Sequence, residues 1–218
     1  MIELADIRKT YRARSGPVEV LKGVDLCVKK GDKVGILGGN GAGKSTLIRL
    51  IGGIERPSSG TVSRAMRISW PLAFTGAFQG TLTGIDNIRF ICRVYGTPID
   101  DVLDYVEDFS QLGRFLNEPV KIYSSGMRAR LAFALSLMID FDCYLIDEVV
   151  AVGDARFQAR CQEELFIRRA DRAMIIVSHD PHYLNMHCER ACVLHRGHLR
   201  HFDHIEEALE AHAVNMQN

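Results

Sequence analysis

Residues Gly38 to Ser45 read Gly-Gly-Asn-Gly-Ala-Gly-Lys-Ser, filling every fixed position of the pattern G-x-x-x-x-G-K-[ST]. Such a loop works only in one setting. A strand must end abruptly, the backbone must curl so that successive N–H groups converge, and a helix N-terminus must point at the same place. The flanks supply both elements. Val34-Gly35-Ile36-Leu37 is a short apolar run of the kind buried in a parallel sheet. Ser45 to Ile51 then has helical spacing and closes at Gly52-Gly53. A plain glycine turn before a helix would need neither the lysine nor the hydroxyl. The segment is therefore read as a cradle for ATP, with Gly38, Gly39, Asn40, Gly41, Ala42, Gly43, Lys44, Ser45 and Thr46 as contacts. Lys44 brings a point charge to the β and γ phosphates, and the Ser45 hydroxyl is a ligand for Mg²⁺.

The rest of the chain fits an α/β organisation. Glu3 to Tyr11 and Val18 to Lys29 read as strands, with Ser15-Gly16-Pro17 as the turn. Pro57-Ser58-Ser59-Gly60 is a turn before a strand at Thr61-Val62. Ile85 to Tyr95 and Ile99 to Phe109 are helical, and Met127 to Met138 is a helix opened by Ser124-Ser125-Gly126. Cys143 to Ile146 and Ala173 to Val177 are buried strands; Arg190 to Leu194 and His198 to Phe202 form a hairpin, and Glu206 to Ala213 is a last exposed helix. The expectation is one domain over residues 1–218, with a helical insertion at about 80–138.

Composition narrows the function. The 218 residues are 47% hydrophobic, ample for a core, and carry 27 basic and 27 acidic side chains. That balance argues against nucleic acid, whose partners show a basic excess. No apolar run reaches the roughly 18 residues a membrane span needs. The start, Met1-Ile2-Glu3-Leu4, lacks the basic and apolar regions of a signal peptide. A soluble intracellular chain is expected. Six cysteines without a Cys-x-x-Cys pair read as reduced core thiols. A metal site from His187, Cys188, Cys192 and His195 is conceivable but lacks matched zinc-ligand spacing.

A phosphate-loop enzyme also needs a carboxylate near its metal and a group that positions water. Asp147-Glu148 closes an apolar strand, and successive side chains on an extended backbone point differently. Asp147 can thus serve the magnesium shell while Glu148 orients or deprotonates the attacking water. Taken alone, the two are also what a solvated strand end looks like.

Further along, the residues resemble the ATPases of ABC transporters. Tyr123-Ser124-Ser125-Gly126-Met127 resembles their signature motif, and Ala151-Val152-Gly153-Asp154 their D-loop. Tyr11 falls where the family stacks an aromatic ring on adenine, Gln79 at the Q-loop, and His179 at the switch histidine. In isolation each has a plainer reading: a strand-end aromatic, a loop polar residue, a helix cap, a structural histidine. Order and spacing raise them together. The resemblance implies a P-loop NTPase (RecA-like) core with an antiparallel β subdomain and a helical insertion, of the ABC ATPase type. It implies ATP with Mg²⁺ held by Ser45, Gln79 and Asp147, and catalysis by Glu148, His179 and Gln79. It also implies a head-to-tail dimer in which Ser124, Ser125 and Gly126 act on the ATP of a second copy, with Asp154 at the dimer contact. Ser125 and Met127 stand where glycine and glutamine are usual, and Val152-Gly153 where alanine-leucine is frequent.

Within that family, Tyr123 to Leu131 followed by Asp147 to Asp154 resembles the polysaccharide exporters, and among these Phe78 to Gly84 with Asn87 to Phe90 resembles the capsular polysaccharide exporters of Gram-negative bacteria. The resemblance implies a peripheral subunit on the cytoplasmic face of the inner membrane, paired with two copies of a permease and with no nucleic acid. Export of O-antigen or teichoic acid, or a soluble ABC ATPase outside transport, are the alternatives.

Overall fold

The computed structural model describes residues 1–72, 76, 78–147, 153–178 and 180–217. The chain folds as two compact units, Met1–Pro71 with Phe141–Glu148 and Arg169–Asn218, and Leu72–Asp140 with Val149–Arg168. The second is wider than the insertion expected from the helical pattern, because it takes in the segment after the acidic pair.

The first unit begins with β1 (Ile2–Ala13) and β2 (Gly16–Val28), which pair antiparallel. Their two-residue connection at Arg14-Ser15 is tighter than the expected turn: Gly16 and Pro17 already pair, with Ala13 and Arg12. β3 (Lys33–Leu37) leads through the glycine loop into α1 (Lys44–Ile51), followed by β4 (Ser59–Arg64) and β5 (Ile68–Pro71). β4 joins β1, giving a three-stranded sheet in the order β2-β1-β4.

The second unit supplies α2 (Gly84–Tyr95), α3 (Asp100–Ser110) and α4 (Ser125–Met138). The first unit resumes with β6 (Cys143–Asp147), and α5 (Ala155–Gln162) belongs again to the second. The chain ends in the first unit with β7 (Ala173–Val177), α6 (Pro181–His187), β8 (Arg190–His195), β9 (His198–Phe202) and α7 (Ile205–Gln217). A six-stranded sheet runs β5-β6-β7-β3-β8-β9, parallel except for β9.

The short apolar strands take the centre because both their faces are covered. All five residues of β7 are fully buried, and Ala173, Ile175 and Val177 share one core with Val34, Ile36, Leu145 and Cys192 and with Leu47, Ile48 and Ile51 of α1. β5, α5 and α6 are elements that sequence periodicity did not disclose. β5 is four residues ending in proline, and α6 is a seven-residue helix whose start is set by Asp180, which accepts from the N–H groups of His182 and Tyr183.

In the second unit the core is aromatic. Phe109 is fully buried, stacked on Tyr105 at 5.6 Å and Phe133 at 6.0 Å, and meets Phe157 edge-on at 5.3 Å. Arg160 lies 4.7 Å over the Phe109 ring and donates to the Asp108 carbonyl at 2.8 Å, closing the cluster from outside.

Five of the six cysteines are buried, but Cys27 is exposed on β2. The expectation of six core thiols is corrected there: Cys27 pairs with Glu3 at an alternating position that faces outward.

Two outcomes follow from this packing. Phe109→Ala costs about 3–5 kcal/mol, read as a lower urea midpoint; a loss under about 1 kcal/mol would show that the aromatic cluster is not a packed core. Burial pushes Cys143, Cys161, Cys188 and Cys192 up to about 12. Iodoacetamide at pH 7.5 should therefore label Cys27 in the folded protein and those four only after denaturation; labelling of all at one rate would contradict their burial.

Candidate nucleotide site

The glycine loop is gripped from two sides within the first unit. A Cβ on Gly38 would stand 2.6 Å from the carbonyl oxygen of Leu194 on β8. One on Gly43 would stand 3.0 Å from Val20 of β2, and Gly43 has φ of 107°, a left-handed conformation that a side chain disfavours. Gly43 is also the N-cap of α1 and offers no side-chain acceptor. The first-turn N–H groups of Lys44, Ser45 and Thr46 are thereby left to an outside anion. Ala42 N–H closes a tight turn onto the Gly39 carbonyl at 3.2 Å.

Lys44 folds back across its own loop. Its ammonium donates to the carbonyls of Gly38 at 2.7 Å and Gly39 at 3.1 Å, which aims the charge into the cradle. Ser45 is exposed, so its hydroxyl is accessible to a cation. Thr46 is buried and its hydroxyl accepts from Arg49 at 3.3 Å. The cradle has the shape, donors and charge for a polyphosphate, and a hydroxyl with a carboxylate suits a hard cation such as Mg²⁺.

Asp147 reaches the same edge by register. Ile36 of β3 pairs with Val177 of β7, which pairs with Asp147 of β6. All three strands are parallel, so their carboxyl ends share the edge from which the glycine loop leaves. That is where open α/β sheets bind ligands. Two strand spacings, about 10 Å, separate the carboxylate's strand from that of the loop. Glu148 and His179 follow β6 and β7 in sequence and lie outside the described residues, as do Ala151 and Val152.

Tyr11 stands on β1 opposite Val18, half-buried. Its hydroxyl donates to Glu55 at 2.6 Å and accepts from Arg49 at 3.3 Å.

In the second unit, Gln79 keeps its side chain exposed while its backbone is stapled in place. Its N–H donates to the Asn87 side-chain oxygen at 2.9 Å, and the Asn87 amide donates back to the Gln79 carbonyl at 3.2 Å and to that of Thr83 at 2.9 Å. Asn87 is 2% exposed, so its amide has no water to fall back on. Ser124 caps α4, its hydroxyl accepting from the Met127 N–H at 3.2 Å, and Ser124 and Ser125 are exposed beside Gly126 in the first turn. Asp154 caps α5 through the Phe157 N–H at 2.9 Å and pairs with Arg130 at 2.8 Å, so both its oxygens are engaged within its own chain. These bonds hold its carboxyl below the usual range, the Phe157 amide foremost.

Sequence reasoning named Asn87 but gave it no role, and missed Glu55, Arg49 and the tail of α7. A Cβ on Gly39 would stand 3.3 Å from Met216, and burial, with Lys44 and His195 adding, lowers the pKa of His212 one helical turn earlier. No local pattern announces a contact between the end of the chain and a loop near its start.

Comparison with known proteins accords with this geometry. The model of the ABC transporter family matches residues 21–151. The capsule polysaccharide export ATP-binding protein CtrD of Neisseria meningitidis is 56% identical over 210 residues, covering 96% of this chain and 97% of its own length. The ATP-binding protein BexA of Haemophilus influenzae matches with the same identity and coverage. A dimeric ATP-binding cassette, solved in a post-hydrolysis state with ADP and Pi, superposes with a TM-score of 0.78 at 23% identity, covering 93% of this chain and 98% of that one. That likeness establishes the fold. Among the described residues no helix is long and apolar enough to cross a membrane. The chain belongs to the ABC transporter family.

Proposed function

We propose that this chain is the ATP-hydrolysing subunit that powers export of a capsular polysaccharide. One observation carries the reading: a complete phosphate cradle, with Asp147 on the same sheet edge, sits in a chain that matches a capsule polysaccharide export protein along nearly its whole length.

The residues divide the work. The loop from Gly38 to Thr46, through its free N–H groups, and the Lys44 ammonium bind the β and γ phosphates, and the Tyr11 ring stacks on adenine. Ser45 and Asp147 would hold Mg²⁺, which when bound neutralises charge on the phosphate oxygens. Glu148 orients the attacking water and takes its proton as the oxygen bonds to the γ phosphorus. The bond from that phosphorus to the β–γ bridging oxygen breaks, leaving ADP and phosphate. His179 donates to the γ phosphate. Ser124, Ser125 and Gly126 of a second copy close the site with a hydroxyl and a helix N-terminus, and Asp154 stands at that contact. The likeness to a dimeric cassette supports the pairing. The dimer works against two copies of a permease at the cytoplasmic face of the inner membrane, with no part for nucleic acid.

Lys44→Ala removes charge-assisted bonds and should weaken ATP binding about 10- to 100-fold by calorimetry. An unchanged dissociation constant would remove Lys44 from the site. Glu148→Gln should bind ATP, hydrolyse none and elute as a dimer with ATP. Cells whose only copy carries Glu148→Gln should retain polysaccharide inside and show none at the surface. Surface polysaccharide at the wild-type level would overturn the proposed function.

A further inference from the structure

Tyr11 is held by more than its strand. Its hydroxyl donates to one oxygen of Glu55 at 2.6 Å, while Arg49 grips the other oxygen at 2.7 Å through Nε. Arg49 also donates through Nη2 to the Tyr11 hydroxyl and to Thr46, each at 3.3 Å. Lys9 adds a third tie: its ammonium is 3.2 Å from Glu55, donates to the Arg56 carbonyl at 2.8 Å, and lies 5.0 Å over the centre of the Tyr11 ring.

The chemistry of this cluster is directional. Arginine is planar and always charged, so its contacts with Glu55 and Tyr11 fix angles as well as distances. Glu55 stays ionised well below neutral pH, its carboxyl held down first by the Tyr11 hydroxyl and then by Arg49 and Lys9. With the hydroxyl pinned and Lys9 over the ring, the half-exposed ring is held in one orientation. The anchor runs back to Thr46, in the first turn of the helix that follows the phosphate loop.

We infer that Glu55, oriented by Arg49, is a positioning residue that sets the Tyr11 ring for the nucleobase. Base recognition is thereby tuned apart from phosphate recognition. The inference rests on the proposed reading of Gly38 to Thr46 as an ATP cradle and of Tyr11 as its stacking ring.

The test compares two probes by calorimetry, ATP and inorganic tripolyphosphate, the second having no base. Glu55→Ala and Tyr11→Phe should each weaken ATP about three- to tenfold, part of what losing a base–aromatic stack entirely would cost. Tripolyphosphate affinity should not move in either. The double variant should bind ATP no more weakly than the worse single variant, because both remove one interaction. Glu55→Gln keeps an acceptor for the Tyr11 hydroxyl and should recover most of the affinity. In steady-state hydrolysis the change should appear in KM with kcat kept. Fully additive losses would overturn the inference, as would tripolyphosphate weakening in step with ATP, the mark of a merely structural role. If Tyr11→Ala weakens ATP while Glu55→Ala does not, the inference fails alone. If neither Lys44→Ala nor Tyr11→Ala affects ATP, the underlying reading fails and takes the inference with it.

Discussion

The constraint on which the site depends is the close approach of backbone to backbone around the glycine loop. With Gly38 against the Leu194 carbonyl and Gly43 against Val20, the loop is pressed between β8 and β2. Any side chain at Gly38 would meet a main-chain oxygen that cannot yield without disturbing the sheet. The compression serves the chemistry. It fixes the direction of the loop amides and of α1 before an anion arrives, so binding need not spend free energy on ordering them. Lys44, folded onto the loop carbonyls, completes a positive concavity whose geometry is set by packing rather than by the ligand.

Much of this was legible because the signals are local. The strand, loop and helix around Gly38 to Ser45 appear in the sequence as an apolar run, a glycine pattern and a helical repeat, and they fold where those patterns place them. The same holds for β7 and for the cap at Ser124, whose hydroxyl satisfies an amide three residues away. What escaped is non-local or short. β5 is too brief for its period to register, and α6 is set by a cap and a proline, not by amphipathic repetition. Glu55 is an ordinary acid after a helix until folding brings Tyr11, 44 residues earlier, within 2.6 Å. Cys27 misled because composition says that cysteines are buried, whereas the alternation of an antiparallel strand decides each position separately.

Asn87 shows how a buried polar group can serve a loop. Its amide reaches three backbone groups of Gln79 and Thr83 with no solvent to compete, so the exposed Gln79 side chain departs from a fixed backbone. The low exposure of Asn87 makes any single lost bond expensive, which ties the whole loop to one side chain.

The acidic end of β6 poses the strictest demand on the sheet. A slip of one residue against β5 would turn Asp147 to the opposite face and remove the carboxylate from the edge that carries the phosphate loop. The apolar strand alone resists such a slip weakly, since Tyr144, Leu145 and Ile146 are buried on both sides and would find apolar neighbours in either register. Directional bonds supply what hydrophobicity cannot. The Leu145 N–H donates to Ser69 at 2.9 Å, and at the strand's entrance the Arg67 N–H donates to the Asp142 carboxylate at 2.8 Å, where Lys30 and Arg172 also gather. A fully buried serine in an apolar strand is costly unless it bonds, and here its bond fixes β5 against β6. Register against β5 is thus held by two polar contacts, one buried and one at the surface, on the strand that ends in the carboxylate.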